Sequence, residues 1–287
     1  MTKDYILIII SVLLLALNFA ATKAYQKDKG SGLAEGIKFN ALLGEVTAVL
    51  FFAINGFGCK ISPFSAVMAA AAAILTAAYT LFGFKIMENG SMALYMIFLM
   101  TGGMTVPYIW GLLFLDEPLS LLRTAGLIVI AVSIVISNKE NGKSSTKLIL
   151  MCTAIFILNG FTSVVSKEHQ ISASAVPAMD FLILNSAAKA IICTALYLFI
   201  RKGKTTGSKR TKSGITYILA AAAAGGGSYL LQLIGAENLP ATVLYPMVTG
   251  GTIIFTAAAG RAFFGEKPGK RMIIGIIICF IGTCMFL

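Results

Sequence analysis

Long apolar segments recur along the whole chain and constrain its fold more than any other feature of the sequence. Each segment has about 18 to 24 residues between charged, Pro or Gly residues. A helix needs about 20 apolar residues to cross the hydrocarbon core of a bilayer. The sequence therefore predicts an all-α membrane protein with ten transmembrane helices. The predicted spans are residues 5–22, 36–56, 64–84, 91–114, 120–137, 147–166, 177–200, 214–236, 240–263 and 270–287.

The overall composition agrees with lipid as the main solvent. Hydrophobic residues make up 57% of the chain and charged residues 12%, with a mean hydropathy of +0.87, whereas soluble domains carry roughly 25% charge. The net charge of +11 does not indicate nucleic-acid binding, because the basic residues are scattered over loops between spans. The apolar run after Met1 lacks a small-residue cleavage site, so we interpret it as the first span rather than a signal peptide.

An internal repeat relates the two halves of the sequence. Shifting the chain by 149 residues aligns several first-half residues with identical second-half residues, without a gap. The aligned pairs are Glu88 and Glu237, Asn89 and Asn238, Gly102 and Gly251, Gly111 and Gly260, Phe114 and Phe263, Glu117 and Glu266, and Gly126 and Gly275. Shifts of 144 and 145 align further pairs, among them Lys23 with Lys167 and Asn40 with Asn185.

The repeat predicts two five-helix units, residues 1–137 and 145–287, joined by a polar link. Because five is an odd number of crossings, the second unit must enter the bilayer from the opposite face. The fold expected is therefore two inverted five-helix repeats, an arrangement in which secondary transporters bind substrate at the repeat interface near the midplane.

The sequences LFLDEP and FFGEKP close spans four and nine. Glu117 and Glu266 stand just before the next span, where an acidic side chain complements the dipole of the following helix. The glycines of these spans favour close helix packing, with backbone exposed to a substrate as the alternative. They are Gly102, Gly103, Gly111, Gly250, Gly251 and Gly260.

Polar residues within the apolar spans are candidates for lining a substrate cavity. Hydrogen bonds between helices are an equally ordinary use of such residues. The candidates are Asn18, Thr22, Tyr95, Asn159, Thr162, Ser163, Tyr229, Gln232 and Tyr245.

Two charged residues, Glu45 and Lys189, fall near the centres of spans two and seven. An ionisable residue at this depth costs about 2.5–3.5 kcal/mol on insertion scales and is a functional candidate by default. Our hypothesis is that both face a central cavity, where Glu45 exchanges a proton or substrate against the Lys189 charge. The alternative is that Lys189 extends to an interface while Glu45 is protonated or bonded to a neighbouring helix.

Other chemistry is not indicated. His169 follows span six and is expected in a solvated loop, and the five cysteines are expected to be small buried hydrophobic residues. There is no phosphate-binding loop, metal-ligand cluster or nucleophile triad, so the sequence predicts neither a metal nor another cofactor.

The chain resembles the drug/metabolite transporter superfamily in its EamA-type, ten-helix form. The resemblance rests chiefly on YPMVTGGTIIFTAAAGRAFFGEKPGKRMIIGIIICFIGTCMFL at the end of the chain. The residues that match the family's motif there are Pro246, Gly260, Gly265, Glu266, Gly275 and Gly282, repeated in the first half by Gly111, Glu117 and Gly126. NFAATK resembles the family's Asn-to-Lys stretch through Asn18 and Lys23, although the usual Trp-Gly before the Asn is missing and Asp116 replaces a frequent Gly.

The resemblance implies export or exchange of small metabolites, amino acids or drugs, without ATP. We therefore expect a secondary transporter, acting as an exporter of a small organic solute at the cell membrane, driven by a proton or other gradient or acting as a facilitator. Two other classes stay open, an intramembrane lipid-modifying enzyme and an accessory membrane subunit. The enzyme would require a cluster of acidic, His or metal-ligand residues at one membrane face, which the sequence does not show.

The distribution of basic residues predicts the orientation in the membrane. The loops after spans one, three, five, seven and nine hold eighteen Lys and Arg residues, and the opposite side holds four, Lys3, Lys60, Arg123 and Lys167. Cytoplasmic loops are enriched in Lys and Arg, so the charge places both termini outside. The family resemblance implies cytoplasmic termini instead, and we favour the charge.

Overall fold

The structure is a computed structural model that describes residues 2–30, 32–88, 92–138, 146–201, 212–265 and 269–286. These residues form ten α-helices and no strand. The helices are α1 (Thr2–Lys29), α2 (Leu33–Ile54), α3 (Pro63–Glu88), α4 (Met92–Phe114), α5 (Leu121–Asn138), α6 (Thr146–Ile171), α7 (Ala178–Arg201), α8 (Lys212–Asn238), α9 (Ala241–Phe264) and α10 (Lys270–Cys284).

The helices are suited to a bilayer by length and composition. Seven of them in the described part of the chain are long and apolar enough to cross a membrane, and the shorter apolar stretches Phe98–Phe114, Leu121–Ile136 and Ile273–Cys284 belong to the other three. Their outer faces carry exposed apolar side chains, such as Leu121 at 83% and Phe199 at 75% exposure. Lipid is the solvent that such a surface requires, so the chain is a multi-pass membrane protein.

Contacts between helices recur when helix numbers are shifted by five. Helix α1 packs on α8 as α6 packs on α3, and α4 packs on α6 as α9 packs on α1. In addition, α2 packs on its own counterpart α7, as α4 does on α9 and α5 on α10. Such reciprocal contacts are those of a twofold relationship between α1–α5 and α6–α10.

The paired counterparts run antiparallel, which makes the repeats inverted. Gly44 in the middle of α2 meets Ala190 of α7, whereas Asn55 just after α2 bonds Asp180 near the start of α7. Gly126 near the start of α5 likewise meets Phe286, which follows α10. The predicted fold of two inverted five-helix repeats is confirmed.

Glycines allow the closest of these helix crossings. A Cβ atom on Gly102 of α4 would lie 2.6 Å from the Cα atom of Phe156 on α6, and one on Gly44 would lie 2.9 Å from the backbone nitrogen of Ala190. Such distances are too short for any side chain, so glycine at these positions brings the helix backbones together, as small residues do in membranes. Gly265 ends α9 in the left-handed conformation at φ 63°, which favours glycine.

Several helix ends differ from the predicted spans because polar residues continue the helices beyond the apolar runs. Helix α1 extends to Lys29 rather than residue 22, and α6 extends to Ile171 rather than residue 166. Of the cysteines, Cys152, Cys193 and Cys279 are buried, but Cys59 is partly exposed and Cys284 is exposed, contrary to expectation.

Candidate functional site

A cavity of about 400 Å³ lies between the two repeats, a volume within the range of small-molecule sites. Residues from α1–α4 and α6–α9 line it, whereas none of the described side chains of α5 and α10 does. Eight of the predicted candidates line the cavity: Asn18, Asn159, Thr162, Ser163, Lys189, Tyr229, Gln232 and Tyr245. The structure thus brings together residues from distant parts of the sequence at one site.

The wall formed by α4, α6 and α9 is held by side chains that bond to backbone carbonyls. Asn159 donates through Nδ2 to the carbonyl of Leu99 at 2.7 Å, and the hydroxyl of Tyr245 donates to the carbonyl of Ser163 at 2.6 Å. Gly103 leaves room for the Asn159 amide, because a Cβ there would lie 2.7 Å from Nδ2. These residues therefore join helices as well as line the cavity.

Another part of the cavity wall joins α1 to α8 in a similar way. Asn18 donates through Nδ2 to the carbonyl of Ala221 at 2.8 Å, next to Gly225, whose missing side chain makes room for the amide. Ser11 of α1 donates to the carbonyl of Ser228 of α8 at 3.1 Å. Within α8, Gln232 donates to the hydroxyl of Ser228 at 3.0 Å. Asn18 therefore both lines the cavity and forms a hydrogen bond between helices.

Lys189 lies near the midpoint of α7 and lines the cavity. Within the described residues its ammonium group makes no hydrogen bond or ion pair, and no Asp or Glu is among the described lining residues. The site therefore combines one cation with hydroxyl and amide groups and with apolar side chains such as Leu15, Phe19 and Leu99.

Glu45 does not line this cavity, so the hypothesis that it faces Lys189 there is not supported. Its side chain is exposed and accepts a hydrogen bond from Thr194 at 3.3 Å. The reason is helix geometry: Gly44 faces α7, and the next residue points about 100° around the helix. Glu45 thus follows the alternative in which it bonds to a neighbouring helix.

Two further candidates fall elsewhere. Thr22 follows Asn18 by one turn and does not line the cavity. The side chain of Tyr95 lies outside the described part of the structure, as does Glu266. The cavity also includes Thr76, Tyr79, Ser166, Asn185 and Ser186, which the sequence reasoning missed. Asn185 could have been found through its alignment with Asn40 in the first repeat. For the hydroxyl-bearing residues, the only indication in the sequence is that they lie within apolar runs.

The predicted helix-capping role of Glu117 is found at a different helix. Its carboxylate accepts the backbone N–H groups of Ala241 at 2.6 Å and Thr242 at 2.8 Å, at the start of α9 rather than of α5. Gly111 leaves room for this carboxylate, because a Cβ there would lie 2.7 Å from Glu117 Oε2. Glu117 therefore joins the two repeats.

Lys167 completes this junction from α6. Its buried ammonium donates to the carbonyls of Ala236 and Leu239 at 2.6 and 2.7 Å, at the end of α8. A cation at a helix C-terminus and an anion at a helix N-terminus both complement the helix dipoles. Lys167 and Glu117 thus fix the short turn between α8 and α9.

The other glycines of the family motif that the structure describes, and Pro246, lie at packed positions within or between helices. Gly126 packs against the carbonyl of Gly282 where α5 crosses α10. Pro246, Gly260 and Gly275 are buried in α9 and α10.

His169 is not in a solvated loop, contrary to the sequence expectation. It lies in the last turn of α6 and is fully buried. Its ring stacks on Phe181 with centroids 3.7 Å apart, and Nε2 lies 2.8 Å from the hydroxyl of Ser65. The polar residues around it had indicated a loop, but the His169 ring packs between Ser65 of α3 and Phe181 of α7. Across the described residues no three metal-ligating side chains cluster.

Comparison with known proteins gives a family and a fold. Residues 146–287 match the model of the EamA-like transporter family. One solved crystal structure, described only as that of a protein, is similar with a TM-score of 0.77 and 13% sequence identity, covering 99% of this chain and 96% of the other. At this identity the likeness shows the fold alone. No curated protein sequence matches the chain.

Proposed function

Because residues 146–287 belong to the EamA-like transporter family, within the drug/metabolite transporter superfamily, we propose that this chain is a secondary transporter that exports a small organic solute across the cell membrane. The observation that carries the proposal is the cavity of about 400 Å³ between the inverted repeats. Its lining combines apolar side chains with several hydroxyl and amide groups, as expected for an organic solute that must be both recognised and released.

The inverted repeats supply a mechanism for alternating access. Inverted repeats permit two conformations of similar energy, in which the units exchange their roles and the site opens to opposite faces. The repeat boundaries at 1–137 and 145–287 are part of this proposal. Tight glycine contacts such as that of Gly102 with Phe156 favour rocking of packed helices as rigid bodies.

The proposed function is tested by flux from liposomes. The purified full chain is reconstituted into liposomes loaded with a broad mixture of organic acids, amino acids, amines and nucleosides, and mass spectrometry follows the loss of each solute. We expect at least one solute to leave faster than from protein-free liposomes, and its rate to respond to an imposed pH or ion gradient if transport is coupled. Equal loss from both preparations would refute transport of these solute classes.

The same experiment distinguishes a transporter from an intramembrane enzyme. An intramembrane enzyme would produce lipids or solutes of altered mass, which the same spectra detect. The direction of transport is tested separately. Protease cleavage of a terminal tag shows which way the chain is oriented in the liposomes, and flux is then compared in the two directions. Flux that is faster towards the cytoplasmic side would exclude the exporter assignment while leaving transport intact.

A further inference from the structure

Three polar side chains lie on one face of α7 in the cavity wall. Asn185 and Ser186 precede Lys189 by four and three residues, so all three project from neighbouring positions on the helix surface. All three line the cavity. Within the described structure none of them makes a hydrogen bond or ion pair. We call Asn185, Ser186 and Lys189 the α7 triad.

Four acidic residues of the chain that do not line the cavity are engaged with other groups. Glu45 is exposed beside Thr194, and the Glu117 carboxylate holds two N–H groups of α9. Asp180 accepts from Asn55, and Glu168 accepts from Trp110. The α7 triad therefore presents a cation without a described carboxylate to balance it.

The rest of the cavity suits the body of an organic molecule. Leu15, Phe19, Leu43 and Leu99 line it from the first half, and Leu182 and Val248 from the second. The site thus offers a cation with two hydrogen-bonding groups at one place and apolar side chains around it. This combination matches a solute with a single anionic group on a partly apolar skeleton.

We propose that the α7 triad binds the anionic group of the transported solute, a small organic monoanion such as a carboxylate, with Lys189 as its counter-charge. A monoanion brings the net charge of the described cavity lining to zero, whereas a zwitterion leaves it at one positive charge and a cation raises it to two. Because Coulomb energies increase as the dielectric constant falls, this difference selects by charge inside a membrane. The inference rests on the proposed function and gives its substrate class.

The test uses solutes that share skeletons and differ in charge. Liposomes containing the full chain are loaded with N-acetyl amino acids (monoanions), free amino acids (zwitterions), amino acid amides (cations) and N-acetyl amino acid amides (neutral), each with serine, leucine and phenylalanine side chains. Loss of each compound is measured relative to protein-free liposomes. We expect the monoanions to leave fastest, and Lys189→Met to slow them by about tenfold to a hundredfold, as loss of a charged hydrogen bond implies.

Two variants keep the result interpretable. Lys189→Arg retains the charge and should retain the preference for monoanions. Lys60→Met removes an exposed loop cation and should leave it unchanged. Elution of each variant as a single monodisperse species on size-exclusion chromatography shows that it is folded, and if Lys189→Met does not fold, the charge preference of the unaltered chain decides alone.

The outcomes distinguish this inference from the proposed function. Flux of cations, zwitterions or neutral solutes in preference to monoanions would overturn the inference and leave the transporter assignment standing. Monoanion flux that is unchanged in a folded Lys189→Met variant would also overturn it. Flux of no solute in any class by the folded chain would contradict both.

Discussion

The Glu117 carboxylate of the first repeat accepts the backbone N–H of Ala241 in the second repeat at 2.6 Å, although the two residues are 124 positions apart. It also accepts the N–H of Thr242, so one side chain satisfies two donors at the start of α9. An uncapped helix start leaves such donors without partners.

Replacing Glu117 by Gln should destabilise the protein by about 1–2 kcal/mol, because the negative charge at the N-terminus of α9 is lost together with one strong acceptor. The measurement is thermal unfolding of the purified protein in detergent. Asp116→Asn is a matched control, since Asp116 is the exposed neighbour of Glu117 and Asn tolerates its positive φ of 50°. An equal loss of stability in both variants would contradict the capping role.

Lys167→Met should cost about 1–3 kcal/mol, because the carbonyls of Ala236 and Leu239 lose a buried donor. Since Lys167 and Glu117 fix the same turn between α8 and α9, the combined variant should lose less stability than the two separate losses together. Strictly additive losses in chemical or thermal unfolding would indicate that the two residues act independently.

The fold could be predicted from the sequence because hydropathy is a local property and the repeat leaves identical residues at fixed spacing. Many cavity residues could also be predicted, since polar groups such as Asn18 and Asn159 stand out in apolar runs. The helix face on which a residue lies could not be predicted. Hydropathy gives the depth of Glu45 in the membrane, but the face of α2 that it occupies is set by the contact of Gly44 with α7. The sequence correctly predicts that Glu117 caps a helix, but it indicates α5 instead of α9, because Ala241 and Thr242 are remote from Glu117 in sequence.

The close crossing of α4 and α6 predicts a size limit at Gly102. Gly102→Ala should lower stability by about 1–3 kcal/mol, because the added Cβ meets the backbone of Phe156 and the helices must separate. Gly227→Ala on α8 is the matched control, since its Cβ would meet only the flexible end of Leu14 at 3.3 Å. Since Ala favours a helix more than Gly does in both variants, unfolding midpoints that decrease equally would show that the crossing at Gly102 does not cause the loss.

The distribution of basic residues predicts that the termini face outward. A reporter that is active only in the cytoplasm, fused after Leu287, should give no signal, whereas the same reporter inserted in the basic loop between α7 and α8 should be active. Strong activity after Leu287 would reverse the assignment.

The most direct test of the cavity as the transport site is to fill it. Thr249 of α9 lines the cavity, and Ala258 lies on the exposed face of the same helix. Flux from liposomes is compared for the unaltered chain, Thr249→Phe and Ala258→Phe, with folding checked by unfolding midpoint. We predict that Thr249→Phe abolishes solute flux while Ala258→Phe retains it; equal flux in the two folded variants would contradict transport through the cavity.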